Sequence, residues 1–62
     1  MFTEEEKRYI KYELGLDINF ANPSNGELME ITIEAADDVE HPSLRDAILS
    51  KIENSMENIQ NG

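Results

Sequence analysis

Leu44, Ile48, Ile52, Met56 and Ile59 recur at spacings of four, four, four and three, and that stripe commits the last third of the chain to an amphipathic helix. On a helical wheel these residues fall within about 140°, with Leu49 widening the arc and Asp46, Ser50, Glu53 and Glu57 opposite. His41-Pro42-Ser43 introduces the segment. Proline is accepted in a first helical turn because its missing N–H has no intrahelical acceptor there. Ser43 with Asp46 is an expected capping pair, and Asn61-Gly62 is the expected stop. The spacing therefore predicts a helix over about 42–60. A one-sided helix buries nothing alone, so the rest of the chain must supply its cover.

The opening segment carries its own start signal. Thr3 followed by Glu6 matches a capping box, in which the hydroxyl and the carboxylate each satisfy a backbone amide of the other. Glu4, Glu5 and Glu6 also sit where the positive end of a helix dipole favours carboxylates. Glu4 is placed to pair with Arg8 one turn on. Tyr9, Ile10 and Leu14 then form an apolar stripe, and Gly15 is a stop signal. A first helix is expected over about 3–14.

Between these segments two readings compete. As a helix, Ser24-Asn25-Gly26-Glu27 is a second capping box. Leu28, Ile31, Ala35 and Val39 then make one face, extended by Met29, Ile33 and Ala36. As strands, Leu16–Phe20 and Met29–Ala35 each alternate with period two, joined by a turn at Asn25-Gly26. The helix is preferred, because Glu30, Glu34, Ala35, Ala36 and the capping box all favour it. The expected architecture is all-α: a three-helix domain with helices at about 3–14, 25–39 and 42–60. The alternative is α+β, a helix–β-hairpin–helix over the same residues.

The chain has 62 residues, enough for one domain over 1–62. A domain of this size buries only about 60% of its unfolded surface, so a stabilising supplement is expected. With no cysteine, disulfides are excluded, and a single histidine argues against a structural zinc site. Self-association is the supplement left, and a homo-oligomer is expected. No cofactor is expected. The opening Phe2-Thr3-Glu4-Glu5-Glu6 is unlike a secretion signal, and no run approaches the roughly 18 apolar residues of a membrane span. The expected compartment is the cytoplasm.

Fourteen Asp and Glu against five Lys and Arg give a net charge of −9. Direct nucleic-acid binding depends on cations that displace phosphate counterions, so neither DNA or RNA nor an anionic membrane is an expected partner. A basic protein is the complementary one. Catalysis needs a positioned acid, base or nucleophile in a cleft, and the inventory is poor: one histidine, scattered serines, no Gly-rich phosphate loop. His41 reads as a cap or surface residue. An enzyme is not expected.

The helical reading leaves a surface. Helix 2 is apolar over more of its circumference than one neighbour covers, so Met29, Ile33 and Ala36 are left either to helix 1 or to a partner. Six carboxylates and no cation lie between Glu27 and Glu40. Glu27, Glu30, Glu34 and Asp38 would project from one side at intervals of roughly 5–6 Å, with Asp37 beside them. The expected function is a small acidic protein-binding module, regulatory or accessory in role. A second expectation is an inhibitor whose carboxylate row imitates nucleic acid in the groove of a DNA-binding protein. A third is a structural component of a larger assembly.

Phe2-Thr3-Glu4-Glu5-Glu6-Lys7 and the run Ser43–Asn54 resemble small acidic proteins of Gram-positive bacteria and their phages. The resemblance implies a protein that binds and inhibits or redirects a host protein. It assigns no functional residue.

Overall fold

Both capping boxes form, and each fixes where a helix begins. In a computed structural model, which describes residues 1–61 and side-chain surroundings as far as Met56, three helices follow one another with no strand among the described residues. Thr3 Oγ1 accepts from the Glu6 amide at 3.1 Å while Glu6 Oε1 accepts from the Thr3 amide at 2.8 Å. Helix α1 runs as an α-helix over Glu4–Arg8 and continues as a π-helical turn over Tyr9–Glu13. The turn closes with bonds wider than the α pattern: the Leu14 amide donates to the Tyr9 carbonyl and the Leu16 amide to the Ile10 carbonyl, both at 3.1 Å. Gly15, at φ +70°, supplies the left-handed residue that this closure requires. Glu4 pairs with Lys7 at 3.4 Å rather than with Arg8.

Helix α2 spans Asn25–Ala36, so the segment predicted ambiguously as helix or hairpin is helical. The deciding contribution is Glu27. Its carboxylate accepts from the Ser24 amide at 2.9 Å, completing the cap, and from the Asn19 amide at 2.9 Å. The second bond ties residues 16–24 to the helix start as a loop. That leaves Leu16–Phe20 in a loop with no strand partner.

The predicted end at residue 39 is corrected: α2 stops at Ala36, with Asp37 as its C-cap. Two adjacent carboxylates at the negative end of a helix dipole oppose continuation, and Asp side chains compete for backbone donors. Asp38 does so here, its Oδ1 accepting from the Glu40 amide at 2.8 Å. Val39, expected on the apolar face, is consequently 83% exposed.

Helix α3 spans Pro42–Asn61. Pro42 is its first residue, and the Arg45 amide donates to the His41 carbonyl at 2.9 Å. The expected Ser43–Asp46 cap is therefore corrected: Ser43 already lies inside the helix, and Asp46 accepts from Arg45 Nε at 3.1 Å. The side chains of Glu57 and Ile59 and the stop at Gly62 lie outside the described residues. Among the described residues no helix is long and apolar enough to cross a membrane.

Ile10, Ile31 and Ile48, one from each helix, are fully buried and form the centre of the core. Fully burying a side chain of this size contributes roughly 1.5–3 kcal/mol. Leu28 and Ile52 belong to the same core cluster, and Ala35 is buried as well. Phe2 and Ile18 close the end where the long loop returns, with Phe2 edge-on to Phe20 at 6.1 Å between ring centres. Glu6 is buried among them, and Lys51 of α3 donates to its carboxylate. Burial pushes the Glu6 carboxyl up, but Lys51 and the Thr3 amide outweigh it and hold the group below the ordinary carboxylate range.

Candidate interaction surface

The ring stack and hydrogen bonds around Asp38 set the geometry of the end of the molecule where α1, α2 and α3 meet. Tyr9, buried on α1, donates its hydroxyl to Asp38 Oδ2. His41 Nδ1 lies 3.1 Å from the same oxygen, and its ring packs edge-on against Tyr9 at 5.5 Å. Arg45 Nη1 donates to the Asp38 carbonyl at 3.0 Å. The hydroxyl of Tyr9, then the Glu40 amide, hold Asp38 at a pKa of about 2. Burial, then the Asp38 carboxylate, push the Tyr9 phenol well above its ordinary value. Sequence reasoning missed this junction. Tyr9 and Asp38 are 29 positions apart, and nothing local to either residue announces the other. The visible hint was the Asp38-Val39-Glu40-His41 spacing, which suits a side-chain bond across a tight turn.

The eight residues expected to form one surface divide into three groups. Met29 and Ile33 are 56% and 60% exposed, and Ala36 is exposed beside them. Helix α1 does not cover this strip. Glu30, Glu34 and Asp37 are exposed and face solvent. Glu27 and Asp38 belong elsewhere: one carboxylate serves the start of α2, the other the junction with Tyr9 and His41. The expected row of four carboxylates is therefore corrected to two exposed members, Glu30 and Glu34, because the helix ends before Asp38 and the cap engages Glu27.

Beside this face lies a shallow cleft of about 240 Å³ lined by Glu13, Leu14, Glu34, Asp37, Asp38, Glu40 and His41. Five of its seven walls are carboxylates. A second depression of about 230 Å³ continues past His41 along Glu5, Arg8, Tyr12 and Leu44. Tyr12 is 71% exposed there, with Lys11 Nζ 5.6 Å from its ring centre. Among the described residues no group of three or more His, Asp or Glu has the arrangement to hold a metal ion. The region offers an apolar strip, a one-sided acidic edge and a shallow acidic dent.

Comparison with models of protein families, with curated proteins and with solved structures returns no match.

Proposed function

We propose that this chain is a small acidic protein-binding module, regulatory or accessory in role, that acts in the cytoplasm by docking through the outer face of α2. The observation that carries the reading is the exposure of Met29 and Ile33 beside Glu30 and Glu34 on a helix with no Lys or Arg. An exposed apolar strip with a polar rim is the pattern of an interaction site. Binding without catalysis is supported by the use made of the single histidine: His41 is engaged with Asp38 and packs edge-on against Tyr9. A core assembled without cysteine suits a reducing compartment. Self-association, expected from the chain's length, is the competing use of the same face.

The test is affinity capture from a cell lysate with the wild-type chain and with the double variant Met29→Asp, Ile33→Asp. Both positions lie outside the core, so the variant's stability is expected within about 1 kcal/mol of wild type. A protein retained by wild type and lost with the variant supports the reading. Retention that survives the double substitution removes the α2 face from it.

A further inference from the structure

Resting on that reading of the α2 face, we infer that its occupant is an amphipathic helix of another protein, with an apolar seam and a row of lysine or arginine along one edge. Met29, Ile33 and Ala36 are spaced four and three apart, the d, a, d spacing of a helix-pairing seam. All three are exposed, whereas Leu28, Ile31 and Ala35 face the core. The two edges of the seam differ. Glu30 and Asp37 fall at the e positions, while the opposite edge carries Thr32 and Asn25. The acidic edge continues past Asp37 into the cleft formed with Glu34, Glu40 and Leu14. A long cationic side chain suits that dent, its aliphatic stem against Leu14 and its charge among the carboxylates.

A second copy of this chain fits poorly. Pairing two such seams antiparallel sets the e edge of one against the e edge of the other, so Glu30 approaches Asp37 of the second copy. Pairing them parallel sets each acidic edge against Thr32 and gains nothing. Both arrangements bring together chains of net charge −9. A basic edge reverses every one of these contacts.

The seam from Met29 to Ala36 is only roughly 10 Å long, so the contact is small and salt-sensitive. The experiment titrates the isotope-labelled full chain with three synthetic peptides of about 18 residues, long enough to pair along the whole of α2. One has a leucine seam with Lys and Arg on one edge. The second has the same composition with the seam scrambled. The third keeps the seam but carries Glu on the edge. The first is expected to shift the backbone amides of residues 29–37, with a Kd on the order of 100 µM. The scrambled peptide, the Ile33→Asp chain and the Glu30→Lys, Asp37→Lys chain should each weaken binding at least about fivefold, and the acidic peptide should leave the amides unmoved. About 0.5 M salt should also weaken the first peptide severalfold.

Equal binding by the scrambled peptide, shifts mapping away from α2, or no shift with the basic peptide would each overturn the inference. So would a wild-type dimer in sedimentation that Ile33→Asp dissolves. If the basic peptide fails while lysate capture still depends on Met29 and Ile33, the docking face stands and the partner chemistry inferred here is wrong. If capture is also indifferent to those residues, both fall.

Discussion

Replacing Tyr9 with Phe deletes one hydroxyl at the point where α1 is fastened to the turn between α2 and α3. The ring stays, so packing against His41 is kept and the loss is the hydrogen bond to Asp38. A hydrogen bond to a charged group contributes about 1.5–3 kcal/mol. Asp38 is not orphaned by the change, because it retains the Glu40 amide at 2.8 Å and His41 at 3.1 Å. The cost should therefore lie near the low end, about 1.5–2 kcal/mol. At about 4–8 °C per kcal/mol for a domain of this size, Tm falls by about 6–16 °C.

The pH dependence gives the sharper check. The Tyr9 phenol is held protonated in the fold by burial and by Asp38. A group whose folded pKa is raised stabilises fully below its unfolded value, near 10, and that contribution fades as pH rises further. The limiting slope is about 1.4 kcal/mol per pH unit. Asp38, held at about 2 against an ordinary 3.8, has the opposite sign. Its contribution is complete above about pH 4 and is lost as pH falls towards 2. Without the Tyr9 hydroxyl, Asp38 moves back towards its ordinary value and the alkaline limb disappears. The difference in stability between wild type and Tyr9→Phe should thus be widest from about pH 5 to 9 and narrow on both sides. Thermal melts followed by circular dichroism from about pH 3 to 11 measure it. A difference under about 0.5 kcal/mol at neutral pH, or one that fails to narrow below about pH 4 and above about pH 10, refutes the reasoning.

Three further outcomes are expected. Ile31→Ala should cost about 2–4 kcal/mol in denaturant melts because it opens a cavity at the fully buried centre, whereas Ile33→Ala, two residues on and exposed, should stay within about 0.5 kcal/mol of wild type. Gly15→Ala should cost about 1–2 kcal/mol through backbone strain at φ +70° alone, since no atom lies within 4 Å of the added methyl; Gly15→Asn should recover part of it in the same melts. Lys51→Met should cost about 1–2 kcal/mol at neutral pH by leaving Glu6 with only the Thr3 donor, and acid titration should show the deficit shrinking as pH falls below about 4, where the unfolded Glu6 gains its proton.

How far the fold was legible depended on the range of the interaction concerned. Thr3–Glu6 and Ser24–Glu27 span three residues each, and both announced their helices correctly because donor and acceptor lie in one turn of sequence. The α3 stripe was equally plain. Two local signals competed at Ile31-Thr32-Ile33, and the bond from the Asn19 amide to Glu27, eight positions away, favoured the helix in a way no local pattern records. Glu27 and Asp38 were read as members of an outward row because a sequence shows charge without showing which donors it meets. Capping claimed one of them. The burial of Tyr9 beside the next turn claimed the other. The alternation of Leu16, Ile18 and Phe20 was legible only as a strand of the hairpin alternative, whereas the same side chains pack on the core from a loop with no strand partner. What the sequence did mark, the strip of Met29, Ile33 and Ala36, is a part that the fold leaves exposed.

Ile10, Ile31 and Ile48 belong to one core cluster to which each helix contributes a fully buried side chain. Any two helices without the third leave a fully apolar side chain facing water, so no pair forms a stable subset. Unfolding should be all-or-none: slowly exchanging amides on α1, α2 and α3 should share one opening free energy, and deleting α1 should cost the chain its structure rather than one of its helices.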